Sequence, residues 1–581
     1  MSKRIVIIGG VAAGASAAAK ARRTNEDAEI VLIEAGPYIS FANCGLPYYV
    51  GGEIAQRESL FVVNPKMFAS RFNVNIRTDT RATSIDRDEQ TVTLATPGGD
   101  TETLSYDRLI LATGTTAIKP PIDGLDRDNI FTVRTVPDVD RITEFLSENI
   151  AASAHDQQAP QRALVIGAGY IGLETAEQLA HRGMKVTVVE LANQVMLATD
   201  PEIALPLQKQ LEDHGIEVRL SDAVARIEDR DGQTVAVTAG GTEIPFELGI
   251  LSTGVRPNVE LAKQAGLTLG QTGAIAVDPL QRTSDPAIYA AGDNSETMHL
   301  VLGRPVNIPL AGPANKAGRA AGANAAMDLE NVPDEHPSRL TLRGVLGTAG
   351  VRVFELTAGA TGLTEQAAIE EGIDYAVMYL GGSSHASYYP GAKALLIKLL
   401  YDPASGAILG AQAVGGDGVD KRIDVLATAI TAEMTLDDLE QLDLCYAPPF
   451  GSAKDLEIMI GFAGANARRG VMPTSTPREL LNAIAEESPV TLLDVRTQKE
   501  WDAGHLEGAI HIPVDELRGR LSEVPNDKPV HVHCAGGYRS YVAQRMLMNA
   551  ERTDVFNVTG GYTMIERVRA VDAGRASQSS E

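Results

Sequence analysis

Cysteine is scarce in this chain, with three among 581 residues. So few cysteines exclude the disulfide framework of a small secreted protein, and their scarcity fits a reducing cytosol. Long apolar runs are also lacking, so no segment approaches a membrane-spanning helix. The apolar run at residues 5–8 is too short for a signal peptide and leads directly into glycines. We therefore predict a soluble, cytoplasmic protein that does not enter membranes.

Positive charge is in short supply. The formal net charge is −25, from 76 acidic and 51 basic residues. This excess argues against binding to nucleic acid or to an anionic membrane surface. An anionic small-molecule substrate would therefore need a local basic pocket. No cluster of cysteine and histidine has the spacing of metal ligands, and we predict no metal site.

Two segments of the chain open with the same pattern of strand, glycine turn and helix. Residues 4–8 form a β-branched run, followed by glycines, an alanine-rich helix and a second strand at residues 30–33. The pattern recurs at residues 163–189. This recurrence predicts two separate nucleotide-binding domains of βαβ type, since the copies lie too far apart for a solenoid repeat.

The second of these segments carries a complete dinucleotide fingerprint. Gly167, Gly169 and Gly172 permit the tight turn, the approach of a pyrophosphate and close packing of helix on strand. Glu190 follows the next strand, where a carboxylate accepts hydrogen bonds from a ribose 2′-hydroxyl and repels a 2′-phosphate. The pattern predicts NADH as the preferred cofactor, with NADPH as the alternative. A glycine turn without a ligand is the less favoured interpretation.

The first segment carries a degenerate fingerprint. Gly9 and Gly14 hold the outer positions, but Val11 stands where the middle glycine is usual. Glu34, twenty residues beyond Gly14, restores the acidic residue expected at the end of the second strand. A second dinucleotide site is predicted here.

Two downstream strings fix the interpretation. Residues 109–114 form a strand that ends in Thr113 and Gly114, and residues 288–294 form a strand followed by a turn with Asp293. Either string alone could be an ordinary strand and turn. In this order around an inserted second fingerprint, they resemble the pyridine nucleotide-disulfide oxidoreductases over about residues 1–460. The resemblance implies FAD in the first domain and hydride transfer to it from NADH.

Cys44 stands in the string at residues 40–49, which resembles the active-site string of coenzyme A-disulfide reductases. The positions five residues away are Ile39 and Tyr49, so no local cysteine pair can form. Chemistry must then use one thiolate that alternates with a mixed disulfide, a persulfide or a sulfenate. We expect a helix N-terminus and the flavin to lower the pKa of this thiol. The alternative is a buried, inert cysteine.

Two more strings, residues 384–392 and 444–455, resemble interface-domain strings of the same family. The resemblance implies a homodimer in which Tyr446 and either Tyr388 or Tyr389 reach the reactive sulfur of the other subunit. A phenol there could donate a proton to a leaving thiolate. Alternatively, these tyrosines only pack an interface. The chain departs from the family at Phe450, where a second tyrosine is common.

The same resemblance points to residues that would bind coenzyme A. Lys20 and Arg23 share one face of the first helix and suit phosphate contacts, although they could equally be solvated surface charges. The full set of candidates is Ser16, Lys20, Arg23, Ser40, Asn43 and Lys454.

The last hundred residues carry a second thiol, Cys534, and resemble single-domain rhodaneses over about residues 476–570. The resemblance rests on residues 491–496, 500–513 and 533–540. From Cys534 to Arg539, successive backbone N–H groups can converge on a sulfur anion or a terminal persulfide. We predict Cys534 as a catalytic residue and Arg539 as a substrate-binding one. Phosphatases use a similar loop, and glycine-rich loops also occur without any chemistry.

The sequence as a whole predicts an α/β protein with two Rossmann-like dinucleotide-binding domains, an α+β dimerisation domain and a C-terminal α/β rhodanese domain. The predicted boundaries are 1–150 and 283–330 for the FAD-binding domain, 151–282 for the NADH-binding domain, 331–460 for dimerisation, 461–475 for a linker and 476–572 for the rhodanese.

We predict an FAD-dependent reductase that uses NADH to cleave S–S bonds of persulfides, polysulfides or coenzyme A disulfides through Cys44. In this prediction the rhodanese domain handles sulfane sulfur at Cys534. One rival is an NADH peroxidase or oxidase that cycles Cys44 through a sulfenate. The other is a sulfur carrier or redox sensor without turnover.

Overall fold

The computed structural model describes residues 3–153 and 161–578. The chain forms two compact units. The first unit contains residues 1–189 and 223–347, and the second contains residues 190–222 and 348–581. Among the described residues, we find no helix with the length and apolar character needed to cross a membrane.

Strands make up the centre of both units. In chain order they are β1 (Arg4–Ile8), β2 (Glu29–Ile33), β3 (Val74–Arg77), β4 (Arg81–Asp86), β5 (Thr91–Ala95), β6 (Thr101–Ser105), β7 (Arg108–Leu111), β8 (Thr115–Ala117), β9 (Ile130–Thr132), β10 (Arg162–Ile166), β11 (Lys185–Val189), β12 (Glu217–Arg219), β13 (Val224–Arg230), β14 (Gln233–Thr238), β15 (Glu243–Phe246), β16 (Leu248–Leu251), β17 (Val255–Pro257), β18 (Ile288–Ala290), β19 (Thr297–Met298), β20 (Pro305–Val306), β21 (Ala349–Val353), β22 (Leu356–Gly362), β23 (Ala376–Ser383), β24 (Ala394–Tyr401), β25 (Ile408–Gly415), β26 (Thr474–Ser475), β27 (Thr491–Asp494), β28 (Ile510–His511), β29 (Val530–His533) and β30 (Val555–Val558).

Helices cover the faces of these sheets. In chain order they are α1 (Ala12–Thr24), α2 (Leu46–Gly51), α3 (Pro65–Phe72), α4 (Val136–Ser153), α5 (Tyr170–His181), α6 (Pro201–Asp213), α7 (Glu260–Gln264), α8 (Ala311–Leu329), α9 (Glu365–Glu370), α10 (Val419–Thr431), α11 (Leu436–Leu439), α12 (Leu456–Arg468), α13 (Pro477–Ala485), α14 (Gln498–Asp502), α15 (Tyr538–Asn549) and α16 (Gly561–Gln578).

The first unit is built on a parallel sheet with strand order β18-β7-β1-β2-β3. Its apolar strands are buried on both faces, as expected when a parallel sheet is covered on each side. Strand β1 pairs in parallel with both β2 and β7, and β18 pairs in parallel with β7. The carboxyl ends of these strands therefore lie at one edge, where ligands of such sheets bind. In a second parallel sheet of this unit, the strands lie in the order β11-β10-β16-β9.

Helices α1 and α8 pack backbone to backbone in the first unit. A Cβ atom on Gly318 would lie 2.1 Å from the carbonyl oxygen of Ala13, and one on Gly322 would lie 2.2 Å from that of Ala17. Only glycine permits so close an approach. Residues 311–329 thus return the chain to the first sheet, next to its opening helix.

The second unit contains an antiparallel sheet, β21-β22-β25-β24-β23, and a parallel sheet, β26-β30-β29-β27-β28. The antiparallel sheet and the predicted rhodanese segment approach closely at Gly560, which has φ +70°. A Cβ atom there would lie 2.9 Å from the Cβ atom of Tyr379 on β23. These elements and those of the first unit confirm the predicted α/β fold class.

Part of the predicted linker at residues 461–475 is helical. Its first half belongs to α12, which ends at Arg468. Small residues in this helix explain the difference, since a Cβ atom on Gly464 would lie 2.7 Å from Leu436 and one on Gly461 would lie 2.8 Å from Leu439. The first half of the segment predicted as a linker is thus part of a helix that packs against α11.

Candidate active sites

The first dinucleotide turn requires both of its predicted glycines. Gly9 has φ +102°, and a Cβ atom on it would lie 2.0 Å from the carbonyl oxygen of Ala112. A Cβ atom on Gly14 would lie 1.7 Å from the carbonyl oxygen of Gly9. The turn between β1 and α1 therefore keeps its backbone amides free of side chains at the sheet edge.

Two carboxylates reach the same edge. The amides of Gly10 and Gly36 donate hydrogen bonds of 2.7 and 2.8 Å to Glu34, at the end of β2. Burial raises the pKa of Glu34 and the pKa of Asp293, which follows β18. Arg134 lies 3.6 Å from Asp293, and its positive charge acts to lower the pKa of that carboxyl group.

The segment at residues 113–114 is held firmly. The hydroxyl of Thr113 donates to the carbonyl of Asn258 (2.7 Å), and the side-chain amide of Asn294 donates to that hydroxyl (2.9 Å). Gly114 has φ +62°, a conformation that favours glycine. Both predicted residues thus fix the backbone where the chain leaves β7.

Buried polar atoms show that this edge is suited to a ligand. Within the described residues, the side-chain oxygens of Asn43 and Asn294 are buried without a hydrogen-bond partner. Such orphaned acceptors are uncommon in a folded protein and mark a place where a ligand can donate to them. Together with the glycine turn and the two carboxylates, these acceptors fit FAD.

The second fingerprint has the same geometry with one open position. A Cβ atom on Gly167 (φ +101°) would lie 2.5 Å from the carbonyl oxygen of Ser252, and one on Gly172 would lie 2.0 Å from that of Gly167. Gly169 directly precedes α5. A Cβ atom placed on it would meet no atom within 4 Å apart from its own chain neighbours. A pyrophosphate could approach the backbone closely at such an open position. Glu190 follows β11 directly, and the amide of Ala192 donates to its carboxylate (2.9 Å).

Cys44 lies in a 3-10 turn, Asn43–Gly45, that leads into α2, and its thiol is exposed. Partial burial is the largest cause that raises its pKa, followed by the negative charges of Glu174 and Asp293, while Arg134 acts in the opposite direction. The expected lowering of this pKa by the protein is therefore wrong. Helix α2 has only six residues, and burial of the thiol, together with the two acidic groups, raises the pKa instead.

Glu174 was not predicted as a site residue. It lies on α5, and the hydroxyl of Tyr48 donates to it at 2.9 Å. Tyr48 belongs to the string that carries Cys44, but Glu174 belongs to no predicted motif, so only the fold reveals that its charge acts on the reactive thiol.

The predicted coenzyme A residues of the first unit occupy the α1–α8 crossing and the Cys44 loop. The hydroxyl of Ser16 donates to Asn315 on α8 (2.6 Å). Burial, and then the charges of Arg319 and Arg23, lower the pKa of Lys20. The structure therefore adds Arg319 of α8 to the two predicted cations of α1, forming a local basic patch in an acidic chain.

Ser40 and Asn43 lie in the loop that carries Cys44. Ser40 has φ +47°, a strained conformation for a residue other than glycine, and its amide donates to the carbonyl of Gly10 (2.9 Å). Strain of this kind concentrates at functional sites. The loop is thereby tied to the first dinucleotide turn.

In the second unit, the two predicted tyrosine strings meet. The hydroxyls of Tyr388 and Tyr446 lie 3.0 Å apart, and this hydrogen bond raises the pKa of Tyr388. Both rings are exposed, to 74% and 46%, so they are available to a partner molecule. Tyr389 instead packs edge-on against His385, which makes Tyr388 the partner of Tyr446.

One buried arginine holds these strings together. Arg422 donates to the carbonyl of Ser384 (2.8 Å) and to the carboxylate of Asp455 (2.6 Å). Asp455 in turn accepts a hydrogen bond from the amide of Ser452 and caps α12. Lys454, the remaining coenzyme A candidate, is exposed next to this cap.

Cys534 is 2% exposed and follows β29 directly. The amide of Gly537 donates to its sulfur at 3.1 Å, and the hydroxyl of Ser540 lies at 3.5 Å. One backbone amide and one hydroxyl thus point at the sulfur, where the sequence predicted several successive backbone N–H groups.

Arg539 is occupied by a carboxylate. Both of its terminal nitrogens donate to Glu500 at 2.7 Å, an interaction that lowers the pKa of Glu500 to about 2. Glu500 is positioned by a capping box with Thr497 at the start of α14. The predicted substrate-binding arginine therefore lies at the loop with its charge neutralised.

Three carboxylates, those of Asp200, Glu202 and Glu365, come together in the second unit. They surround the buried ammonium of Lys398 at distances of 2.8, 2.5 and 2.6 Å. The cluster is thus an ion-pair network, and its arrangement is explained without a metal ion.

Comparison with known families identifies the domains of the chain. The model of the pyridine nucleotide-disulphide oxidoreductases matches residues 3–318, and the model of their dimerisation domain matches residues 348–456. The chain belongs to this family. A rhodanese-like domain matches residues 476–567 of the same oxidoreductase.

Relatives with a similar organisation are known. The crystal structure of reduced CoADR-RHD from Bacillus anthracis is 42% identical, with a TM-score of 0.91, and the match covers 98% of this chain and 99% of that one. The NAD-dependent persulfide reductase from A. fulgidus is 40% identical, with a TM-score of 0.86, over 96% and 99% of the two chains. The NAD(P)H sulfur oxidoreductase (CoA-dependent) of Pyrococcus abyssi is 35% identical over 78% of this chain and 96% of its own length.

The oxidoreductase thus uses FAD and a nicotinamide cofactor, and the open position at Gly169 allows a test of the second site. Gly169 has φ −79°, so Gly169→Ala should fold normally. Its methyl group would enter the space required by the pyrophosphate, and we expect the KM for NADH to rise by about tenfold. Steady-state kinetics and thermal melting should be compared with Gly519→Ala, another glycine with open space around its Cβ position. An unchanged KM would show that the nucleotide does not use this space.

The acidic surroundings of Cys44 predict a pH effect. A raised thiol pKa means that the thiolate is lost as the pH falls through the raised value. Glu174→Gln removes a negative charge and should lower that pKa, so the thiolate fraction at fixed pH rises. Alkylation of Cys44 by iodoacetamide in the reduced holoenzyme should become about threefold faster near neutral pH. Mass spectrometry of the Cys44 peptide measures the rate, with Glu26→Gln as an exposed control, and an unchanged rate would contradict the assigned cause.

Proposed function

We propose that this oxidoreductase uses NADH to reduce the S–S bonds of coenzyme A persulfides, and of related disulfides and polysulfides, through Cys44. The rhodanese-like domain would accept sulfane sulfur at Cys534. The observation that carries the proposal is the pair of free, single thiols, one beside a flavin-type dinucleotide edge and one in a loop of sulfur-directed donors. Two structures that match nearly the whole chain, named as a CoADR-RHD and an NAD-dependent persulfide reductase, are consistent with this proposal.

The central step is a thiol–disulfide exchange at Cys44. Its thiolate attacks the sulfur bonded to coenzyme A, a new S–S bond forms, and hydrosulfide leaves with the electron pair of the broken bond. Bound FAD, reduced by NADH, supplies the two electrons that restore the thiolate and release coenzyme A as a thiol. The thiol pKa, raised by burial and then by the charges of Glu174 and Asp293, increases the nucleophilicity of the thiolate once it forms, since nucleophilicity rises with pKa.

The basic patch of Lys20, Arg23 and Arg319 is proposed to bind the phosphates of coenzyme A. Cations with neighbouring positive charge gain most from a bound anion, and the lowered pKa of Lys20 reports that repulsion. Ser16 would contact the same end of the molecule, Ser40 and Asn43 would hold its thiol end, and Lys454 would provide a further contact.

A homodimer is part of the proposal. The matched dimerisation domain and the exposed rings of Tyr388, Tyr446 and Phe450 support it, since apolar rings in such a surface favour association. The hydrogen-bonded tyrosine pair would donate a proton to the leaving thiolate at the reactive sulfur of the partner subunit. A cytoplasmic location is also proposed, supported by three free thiols.

The test is anaerobic NADH consumption and sulfide release with coenzyme A persulfide, coenzyme A disulfide or hydrogen peroxide. We expect turnover with the persulfide and stoichiometric sulfide. With a sulfane donor plus free coenzyme A, Cys534→Ser should lose the donor-dependent rate and keep the rate with preformed persulfide. Faster turnover with peroxide than with any sulfur substrate would instead identify a peroxidase, and absence of all turnover would identify a sulfur carrier.

A further inference from the structure

A cavity of about 220 Å³ in the second unit gives access to Cys534. One wall is the rhodanese-like loop, and the opposite wall comes from β23 and α12, outside that domain. The lining residues are Leu380, Gly381, Leu456, Met459, Cys534, Gly536, Tyr538 and Arg539.

The two walls are held in a fixed relation. Gly560, just before α16, contacts Tyr379 on β23, next to Leu380 of the cavity. The carbonyl oxygen of Cys534 accepts a hydrogen bond from the amide of Tyr562, which ties the loop to the same helix start. The residues of β23 and α12 that line the cavity therefore form a fixed part of the Cys534 site.

The cavity offers no free positive charge. Leu380, Leu456 and Met459 present apolar atoms, and Arg539 is the one charged residue among those that line it. The charge of Arg539 is paired with the carboxylate of Glu500, which accepts one hydrogen bond from each terminal nitrogen, and the guanidinium also interacts with the sulfur of Cys534. A dianion such as thiosulfate would give up its hydration against an apolar wall without gaining an unpaired cation, which is costly.

We propose that this cavity selects an uncharged sulfane-sulfur donor, a polysulfane chain or ring, and that Leu456 and Met459 are specificity-determining residues. Chains of sulfur are apolar and polarisable, and they match an aliphatic wall with a methionine thioether. The inference rests on the proposed role of Cys534 as acceptor of sulfane sulfur.

The loading step is balanced without an added oxidant or reductant. The Cys534 thiolate attacks one sulfur of the polysulfane, a new S–S bond forms to it, and the adjacent S–S bond breaks. The electron pair of that bond leaves on the departing sulfur fragment, which takes up a proton from water. The amide of Gly537 donates to the sulfur of Cys534 and stabilises the attacking thiolate.

The test measures sulfur loading of Cys534 by mass spectrometry in the full-length chain. Cys44→Ser and Cys445→Ser in the background leave Cys534 as the only thiol. The probes are dimethyl trisulfide, which is uncharged, and thiosulfate. The measured quantity is the ratio of the two second-order loading rates.

Met459→Lys should lower this ratio at least tenfold, because the new ammonium group disfavours the apolar donor and attracts the dianion. Met459→Leu should keep it. Met67→Lys, an exposed methionine in the first unit, controls for total charge. Glu500→Gln should raise the rate of loading by thiosulfate, because it leaves the charge of Arg539 in the opposite wall without its carboxylate partner. This variant keeps the test valid if Met459→Lys fails to fold.

The outcomes separate the inference from the function on which it rests. Loading of Cys534 by both probes with a ratio that neither variant changes would overturn the inference alone. Failure of Cys534 to load with either probe, in every variant, would overturn the proposed role of Cys534 as well.

Discussion

Cys44→Ser is expected to abolish NADH-dependent reduction of S–S bonds while NADH still reduces the flavin. The hydroxyl of serine cannot form the mixed disulfide through which electrons reach the substrate, whereas the two dinucleotide turns are untouched. Loss of a covalent nucleophile lowers turnover by at least about a thousandfold. Anaerobic stopped-flow absorbance follows flavin reduction, and sulfide release follows turnover.

Cys445→Ser is the matched control, since that thiol is also exposed but lies in the second unit, in a string where it has no assigned role. We expect it to keep full activity. If Cys44→Ser retained sulfide release, the flavin would have to deliver electrons without this thiol, and the single-thiol mechanism would be wrong.

Gly14→Ala is expected to remove most of the FAD. The added Cβ atom would lie 1.7 Å from the carbonyl oxygen of Gly9, so the turn must open. Overpacking of this kind costs ~1–3 kcal/mol, which would weaken cofactor binding by a factor of about ten to a hundred. The ratio of flavin to protein absorbance after dialysis measures the loss, and a melting curve shows whether the domain remains folded.

Gly312→Ala is the matched control for this change. Gly312 lies in α8 with no atom within 4 Å of its Cβ position, and alanine in a helix is favoured over glycine. It should keep its FAD and melt at the same or a higher temperature. Full FAD content in Gly14→Ala would show that the first turn does not hold the cofactor.

The dinucleotide turns could be predicted from sequence because their physics is local. Gly9, Gly14, Gly167 and Gly172 are each required by contacts with backbone only a few residues away or on the neighbouring strand. The β-branched run before each turn predicts a strand, and the βαβ connection then predicts that this strand pairs in parallel with the next one. The loop of Cys534 is predictable for the same reason, since its donors lie within six residues of the sulfur.

The electrostatics of Cys44 could not be predicted in this way. Burial of the thiol raises its pKa, and Glu174 and Asp293, which approach it from segments far along the chain, raise that pKa further. Arg319 joins Lys20 only because two glycines let α1 and α8 touch. The cavity at Cys534 likewise depends on tertiary packing, because half of its wall comes from β23 and α12.

The contact of Gly560 with Tyr379, together with the helical start of the predicted linker, has a kinetic consequence. A thiol on a flexible tether visits its target at an effective concentration set by the length of the tether. Cys534 sits instead in a module anchored within its own unit, so the linker sets no such effective concentration for it. Under the proposed function, in which coenzyme A accepts the sulfur from Cys534, the flux from donor to flavin should scale with the concentration of coenzyme A in solution.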